Sequence, residues 1–254
     1  PEAIKMCPLV NELKENDSIK TIVCVTGQHK EMLDQVLNVF KVVPDYDLGI
    51  MKANQTLFTI TTSILDKIQV VLEQEKPDIV LVHGDTSTTF ATALAAFYMG
   101  IKVGHVEAGL RTYNLQSPFP EEFNRQTTSI IADYHFAPTK MAKENLLKEG
   151  RKNIFVTGNT VIDALKTTVQ DNYHHPILEW AKDSKLIMLT AHRRENLGQP
   201  MENMFNAVNR ILNEFEDVKV VYPIHKNPKV RELASKVFGD NERMKIIEPL
   251  EVID

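Results

Sequence analysis

The chain has 254 residues, of which 43% are hydrophobic and 25% are charged, and its formal net charge at pH 7 is −5. This is a globular composition, and the acidic balance, with a pI of about 5.9, argues against a nucleic-acid partner. Cys7 and Cys24 are the only cysteines, too few for a disulfide framework or a cysteine-built zinc site, so a reducing, cytoplasmic location is expected. The longest apolar run, residues 93–101, is too short to span a bilayer, so no membrane partner is predicted.

Helical and strand patterns alternate from the start of the chain. Apolar spacing predicts helices over residues 1–13, 30–40 and 55–75, a strand over 20–26 and a loop over 44–49. The longest of these helices should bury one apolar stripe, formed by Leu57, Ile60, Ile64, Ile68, Val71 and Leu72. Because a doubly wound domain normally begins with a strand, a first strand is expected to lie upstream of Pro1 and to be missing here.

Residues 77–125 form the stretch around which the chain is organised. Apolar runs predict a strand over 78–82, a helix over 86–99 and a second strand over 101–106. A strand, a helix and a strand in so few residues form a βαβ crossover, which is right-handed by default and makes the strands parallel. The carboxyl ends of both strands therefore lie at the same edge of the sheet.

Acidic residues follow both of these strands. Asp85 comes just after the first strand and Glu107 just after the second, and neighbouring strands are roughly 5 Å apart. The two acids are therefore expected to converge at the carboxyl edge, where open α/β sheets bind their ligands. Glu121 follows in a proline-flanked loop that opens the next helix. Residues 87–89 add hydroxyl and N–H groups at a helix start, which suits an anion such as phosphate.

Each acid also has a structural alternative. Asp85 could equally be a helix N-cap. Glu121 and Glu122 follow Pro120 in a first helical turn, where the helix dipole favours acids in any case. Glu107, flanked by Val106 and Ala108 at a strand end before Gly109, has no such local structural role and is harder to explain by structure alone.

A polar, turn-rich segment over residues 170–176 predicts a boundary between two Rossmann-like α/β domains, 1–170 and 171–254. Before it, strands are predicted over 135–137 and 153–157, and helices over 141–148 and 161–169. After it, strands are predicted over 185–191, 218–222 and 244–247, and helices over 204–215 and 228–237. Three strands are fewer than a complete doubly wound sheet contains, so the second domain is expected to be unfinished.

Several further polar residues follow predicted strands. The first strand of the second domain is followed by His192, Arg193, Arg194 and Glu195. This group suits a phosphate or diphosphate, although a solvated charge cluster is the structural alternative. His225 follows the next strand, and Gln28 and His29 end a strand of the first domain. Spacing alone assigns no role to these last three residues.

The absence of several known motifs also excludes some classes of function. His83 lies close to Asp85, but no paired His/Asp spacing supports a metal site. No Walker loop or GxGxxG fingerprint is present, so neither nucleotide hydrolysis nor NAD binding is predicted. Acids from the first domain and cations from the second suit a sugar or polyol linked to a diphosphate. Several carboxylates around one carbon fit proton abstraction and return, or stabilisation of an oxocarbenium-like centre.

Six motifs are spread along the chain: PEAIK from Pro1, VHGDT from Val82, HVEAGLRT from His105, SPFPEEFNR from Ser117, VTGNTVIDAL from Val156 and TAHRREN from Thr190. Together they resemble the bacterial non-hydrolysing UDP-N-acetylglucosamine 2-epimerases, and the resemblance covers essentially the whole chain. It implies two Rossmann-like domains of the glycosyltransferase-B type. It also implies interconversion of UDP-N-acetylglucosamine and UDP-N-acetylmannosamine for cell-surface polysaccharide or teichoic acid precursors, without NAD or an obligatory metal.

The resemblance also implies a mechanism and residue roles. UDP is eliminated in the anti sense to give 2-acetamidoglucal, and UDP then adds back with the opposite configuration at C2. Asp85, Glu107 and Glu121 are implied as the acid/base and oxocarbenium-stabilising carboxylates, without an assignment of which one removes the C2 proton. His192 would steady the UDP leaving group, and Lys5 would contact its phosphates.

The resemblance further implies a homodimer and a second, activating site for UDP-N-acetylglucosamine. The matching positions are Gln28, Gln55, Glu121, Arg193 and His225, whereas Asn54 stands where some members carry arginine. Family segments that should precede Pro1 and follow Asp254 are missing. Residues 1–254 alone are therefore expected to be inactive or nearly so.

Three alternative functions stay open. The enzyme could act on another UDP-2-acetamido sugar or release free sugar by hydrolysis. It could be a glycosyltransferase of the same fold, which would require an acceptor. It could also be a nucleotide-sugar sensor, although a sensor has no need of three acids and a histidine around the sugar.

Overall fold

The structure is a computed structural model that describes residues 2–27, 30–52, 55–191, 196–250 and 252–253. It contains two compact units, Pro1–Val169 and Gln170–Asp254. In each unit, helices alternate with strands that pair in parallel, so the predicted α/β class is confirmed. Among the described residues, no helix is both long and apolar enough to cross a membrane.

The first unit opens with three helices and two short strands: α1 (Glu2–Lys14), β1 (Cys24–Val25), α2 (Lys30–Val39), β2 (Tyr46–Asp47) and α3 (Leu57–Glu75). The three predicted helices are confirmed. In α3, Thr56 caps the N-terminus, and the predicted stripe is buried except for Leu57, which begins the helix and is exposed.

Two predictions in this region are wrong. The strand predicted over residues 20–26 is only two residues long, and the predicted loop over 44–49 contains its parallel partner, β2. The Asp45 carboxylate accepts the N–H of Val23 at 2.7 Å, and the Val23 carbonyl oxygen accepts the N–H of Asp45 at 2.8 Å. Because a side chain occupies the Val23 donor, the strand ladder begins only at Cys24.

The rest of the first unit is one parallel sheet with its helices. The sheet has the order β3 (Ile79–His83), β4 (Lys102–Val106), β5 (Tyr134–Ala137), β6 (Ile154–Val156). The helices of this region are α4 (Ser87–Tyr98), α5 (Glu121–Ile131), α6 (Lys140–Lys148) and α7 (Val161–Thr168). The strands β3 and β4 pair in parallel, which confirms the predicted βαβ crossover and places their carboxyl ends side by side.

The core of this sheet relies on small side chains where elements approach closely. Ala91, Ala93 and Ala96 of α4 are fully buried in the same apolar cluster as the α3 stripe. A Cβ atom added to Gly104 of β4 would lie only 2.6 Å from the side chain of Leu81 on the neighbouring strand. This tight packing fixes the register of β3 and β4, and hence the position of the residues that follow them.

The second unit contains α8 (Pro176–Ala181), β7 (Lys185–Met188), α9 (Gln199–Glu214), β8 (Val218–Pro223), α10 (Pro228–Phe238) and β9 (Met244–Ile247). Its three strands form a parallel sheet in the order β7, β8, β9, over a core that includes Phe205, Tyr222 and Phe238. The helix α9 begins five residues earlier than predicted, because a glycine at its N-cap position and a proline in its first turn form its start.

Candidate active site

The three predicted acids of the first unit lie near one edge of the β3–β4 sheet. Asp85 follows β3, Glu107 follows β4 directly, and Glu121 is the first residue of α5. The residues that precede the first two acids are joined, since the Gly84 N–H donates to the Val106 carbonyl oxygen at 2.9 Å, and α5 reaches Asp85 through Arg125 at 2.8 Å. The structure therefore brings Asp85 and Glu107 to one edge, as the parallel strand order predicts, and Glu121 comes to the same region from the start of α5.

Glu107 is held by two donors and by an unusual backbone conformation. Its Oε2 atom accepts hydrogen bonds from Lys5 Nζ at 2.5 Å and from Asn159 Nδ2 at 2.9 Å. Its φ angle is 61°, in the left-handed region that a residue with a side chain rarely adopts. Such a conformation persists only where the surroundings enforce it, and it is frequent at active sites. Lys5 was implied by the resemblance, whereas sequence reasoning missed Asn159.

Asp85 is fixed by two side chains of α5. Arg125 approaches its Oδ2 atom with Nη2 at 2.8 Å, and Asn124 Nδ2 donates to its backbone carbonyl oxygen at 2.9 Å. Burial is the main cause that raises the pKa of Asp85; Glu121 and Glu107 add to the increase, and Arg125 opposes it. A raised pKa makes this carboxyl group a better proton acceptor than an exposed aspartate, which favours a role in acid/base chemistry.

The structure excludes the structural alternative for Asp85, whereas Glu121 and Glu122 do lie in the first turn of α5, as their structural alternative requires. Asp85 is not the N-cap of α4, because Thr86 occupies that position and its side chain accepts the N–H of Thr89. Glu121 and Glu122, which are indistinguishable by local sequence, have different environments. Glu122 is fully buried, whereas Glu121 is partly exposed.

Glu122 ties the loop after β4 to α5. Its carboxylate accepts the N–H groups of Thr112 and Tyr113, each at 3.0 Å, and Gln126 Nε2 at 2.7 Å. Burial alone would raise the pKa of Glu122, but these hydrogen bonds and Arg125 outweigh it, so the pKa lies below its ordinary value. Glu122 is thus a structural residue that supports the site.

We expect Glu122→Ala to lower the free energy of unfolding by about 3 kcal/mol at pH 7, because three buried or partly buried donors lose their acceptor. Since the folded-state pKa is depressed, the charged carboxylate stabilises the fold above the usual glutamate pKa of about 4.3 and loses this effect as the pH falls below it. Denaturant unfolding at pH 7 and pH 4 measures both effects. Glu122→Gln should show a weaker pH dependence than wild type; equal pH dependence would contradict this role.

Arg111, in the same motif as Glu107, also has a structural role. Its Nε atom pairs with Glu149 Oε1 at 2.7 Å, Nη2 contacts Glu149 Oε2 at 2.9 Å, and its side chain is fully buried. A further donor bond from Nη2 reaches Ser129 Oγ at 3.0 Å. Arg111, the cation of the HVEAGLRT motif, therefore joins the loop after β4 to α5 and to the C-terminal end of α6.

His83 ends β3 beside the acids. Its Nε2 atom lies 3.9 Å from Glu107 Oε2, and burial lowers the pKa of its ring. Among the described residues, no group of three or more His, Cys, Asp or Glu side chains is arranged to hold a metal ion.

The structure describes only some of the other predicted site residues. His192, Arg193, Arg194 and Glu195 lie outside the described residues, as do Gln28, His29 and Asn54 of the first unit. His225 follows β8 and lines a cavity of about 290 Å³ at the carboxyl ends of the strands, together with Met188, Thr190, Ala191, Pro223 and Leu250. In the first unit, Gln55 lies just before α3 and donates from Nε2 to the Ile50 carbonyl oxygen at 2.6 Å.

The chain is similar to known proteins over nearly its whole length. A family model described as UDP-N-acetylglucosamine 2-epimerase matches residues 11–254. The UDP-N-acetylglucosamine 2-epimerase of Bacillus subtilis (strain 168) is 64% identical, over 100% of this chain and 67% of its own length.

Solved structures agree in fold. A co-structure of S. aureus MnaA with UDP shares 55% identity with a TM-score of 0.94, over 100% of this chain and 68% of that one. The Neisseria meningitidis UDP-GlcNAc 2-epimerase bound to UDP-GlcNAc shares 48% identity with a TM-score of 0.92, over 100% of this chain and 71% of that one. The chain therefore belongs to the UDP-N-acetylglucosamine 2-epimerases, a family of isomerases.

Proposed function

We propose that the carboxylates at the β3–β4 edge transfer the C2 proton as the enzyme interconverts UDP-N-acetylglucosamine and UDP-N-acetylmannosamine. The observation that carries this proposal is that Asp85 and Glu107 follow paired strands at one sheet edge, where α5, which begins at Glu121, contacts Asp85 and where Lys5 binds Glu107. The Neisseria meningitidis relative binds UDP-GlcNAc, which supports the choice of substrate.

The chemistry explains why several acids are needed. The C2 hydrogen is not acidic, because no carbonyl group adjoins C2. A base can remove it if the C–H electron pair forms a C1=C2 double bond while the C1–O bond breaks and its electrons leave with UDP. The product is 2-acetamidoglucal. Adding UDP back across this double bond, with a proton delivered to the opposite face of C2, gives the epimer. Removal on one face and delivery on the other require two separate acid/base groups.

We assign these two proton-transfer roles to Asp85 and Glu107, without ordering them. The raised pKa of Asp85 suits a group that holds a proton for delivery. Glu121 is the third carboxylate of the site, and its negative charge would stabilise positive charge that develops at C1 as the C1–O bond breaks. Lys5 would contact the diphosphate, and His192 would steady the departing UDP.

The wider proposals rest on the resemblance. UDP-N-acetylglucosamine would also act as an activator at a second site built from Gln28, Gln55, Glu121, Arg193 and His225. The enzyme would work as a cytoplasmic homodimer without a cofactor, and its product would supply cell-surface polysaccharide or teichoic acid precursors. His225 lines the cavity at the carboxyl ends of the second unit's strands, which supports its assignment to this second site.

Proton NMR of the full-length protein with UDP-N-acetylglucosamine in D2O tests the function. We expect deuterium to appear at C2 together with signals of UDP-N-acetylmannosamine, with no acceptor added. Free N-acetylmannosamine would instead indicate hydrolysis, and turnover only after an acceptor is added would indicate a glycosyltransferase. An unchanged spectrum, beside turnover of another UDP-2-acetamido sugar, would overturn the substrate assignment.

A further inference from the structure

We propose that His83 is a positioning residue for Glu107, whose carboxylate it orients through Nε2 for proton transfer at C2. This inference rests on the proposed function of Glu107. His83 pairs with Val106 in the parallel β3–β4 ladder, and Val106 directly precedes Glu107. The sheet register therefore brings the imidazole to the carboxylate, with 3.9 Å between Nε2 and Oε2.

The burial of His83 is not explained by the fold alone. The residue is 7% exposed, and neither ring nitrogen has a hydrogen-bond partner among the described residues. A buried polar group without a partner costs about 1–3 kcal/mol, so an apolar side chain would stabilise this position better. Outside the strand ladder, the backbone carbonyl oxygen of His83 accepts a hydrogen bond from the Thr89 hydroxyl.

Two other buried histidines of the same sheet have structural roles, because their rings contact backbone carbonyl oxygens. His105 places Nε2 at 2.7 Å from the carbonyl oxygen of Gly84. His135 places both ring nitrogens 3.1 Å from backbone carbonyl oxygens. Each of these rings makes at least one hydrogen bond to the backbone of its own unit, although Nδ1 of His105 has no partner among the described residues, whereas neither ring nitrogen of His83 has one and its ring lies beside an acid of the candidate site.

The charge state of His83 suits an orienting donor. Burial lowers the pKa of the ring; Lys5 adds to the decrease, whereas Glu107 and Glu2 oppose it. A neutral imidazole has a single N–H group, which Nε2 can carry toward Glu107. Such a donor can hold the carboxylate in place without neutralising its charge, unlike the ammonium group of Lys5.

The present contacts of Glu107 show when His83 would act. Its Oε2 atom now accepts from Lys5 and Asn159. When Lys5 turns to the substrate diphosphate, Oε2 loses one donor, and a shift of about 1 Å brings it to the roughly 2.9 Å of a normal bond to His83 Nε2. His83 and Asn159 then fix the carboxylate while it exchanges a proton with C2.

Amide substitutions separate positioning from packing. The side-chain nitrogen of glutamine can occupy the place of imidazole Nε2, and that of asparagine the place of Nδ1. In the full-length protein we expect His83→Gln to keep kcat for C2 exchange within about tenfold of wild type. His83→Asn should lose on the order of 10²-fold in kcat with little change in KM, because a carboxylate misplaced by about 1 Å costs about that much.

His135→Asn is the matched control, since it alters a buried histidine of the same sheet whose ring nitrogens contact the backbone carbonyl oxygens of Lys152 and Ser129 rather than an acid of the site. It should lower the free energy of unfolding and leave kcat of the folded enzyme unchanged. Equal kcat losses in His83→Gln and His83→Asn, or losses that follow the free energy of unfolding as in His135→Asn, would overturn the positioning role.

NMR of 15N-histidine-labelled protein separates this inference from the proposed function. Adding UDP should produce a downfield Nε2–H resonance that His83→Gln removes and that Glu107→Gln shifts. If wild type lacks C2 exchange but shows this resonance, the proposed function fails and the His83–Glu107 contact stands. If the resonance is absent, the inference about His83 fails, whatever the turnover.

Discussion

Replacing Glu107 with glutamine is expected to slow C2 proton exchange by roughly 10²- to 10⁴-fold, the usual contribution of one general acid or base. The amide keeps the size of the side chain and can still accept from Asn159, but it can neither take up a proton at C2 nor pair with the charge of Lys5. Exchange of the C2 hydrogen of UDP-N-acetylglucosamine in D2O, followed by NMR, measures the effect.

Asp163→Asn provides the control for this change. Asp163 lies on α7 of the same unit, pairs with Lys166 on the helix surface, and has a side chain that is 51% exposed. Its loss should leave the exchange rate within about twofold of wild type, because exposed ion pairs contribute little. If Glu107→Gln retained a similar rate, the central role of Glu107 would be wrong.

Gly109→Ala is expected to lower the free energy of unfolding by about 3–5 kcal/mol, the largest stability effect that we predict. Gly109 has a φ angle of 93°, and a Cβ atom there would lie 2.3 Å from the backbone carbonyl oxygen of Ala142. The backbone strain costs about 1–3 kcal/mol, and overpacking against a neighbour that cannot rotate away adds about 1–3 kcal/mol. Denaturant unfolding followed by circular dichroism measures the loss.

The substitution Gly150→Ala measures the backbone strain of a positive φ angle without the steric clash expected at Gly109. Gly150 also has a positive φ angle, 72°, but a Cβ atom there would meet nothing within 4 Å. It should therefore cost only the strain, about 1–2 kcal/mol. Equal losses at the two glycines would refute close packing of the Gly109 loop against α6. Because Gly109 lies two residues after Glu107, Gly109→Ala should also reduce the rate of C2 exchange in the protein that stays folded.

The convergence of the acids could be predicted because it depends on a local pattern. Two apolar runs around one helix define a βαβ unit, and parallel strands necessarily bring Asp85 and Glu107 to one edge. The same reasoning did not find β2, because a two-residue strand has no period and its pairing is arranged by the Asp45 side chain.

The partners of the acids could not be predicted from local patterns. Asn159 reaches Glu107 from 52 positions along the chain, and Arg125 reaches Asp85 from 40 positions away, so no spacing rule links them. Their one signal in the sequence was their place inside the VTGNT and SPFPEEFNR motifs. Glu121 and Glu122 likewise differ only in tertiary environment, since α5 turns Glu122 inward to the backbone N–H groups of the loop after β4.

Positional isotope exchange tests most directly whether the C2 proton is lost together with UDP. UDP-N-acetylglucosamine is labelled with 18O at the oxygen that joins C1 to the β-phosphate and is incubated with the full-length protein in D2O. If the C1–O bond breaks, the freed β-phosphate rotates, and 31P NMR should show the label moving to non-bridging positions while deuterium enters C2. Both signals should be lost together in Glu107→Gln. Deuterium at C2 with the label still in its bridging position would contradict elimination of UDP.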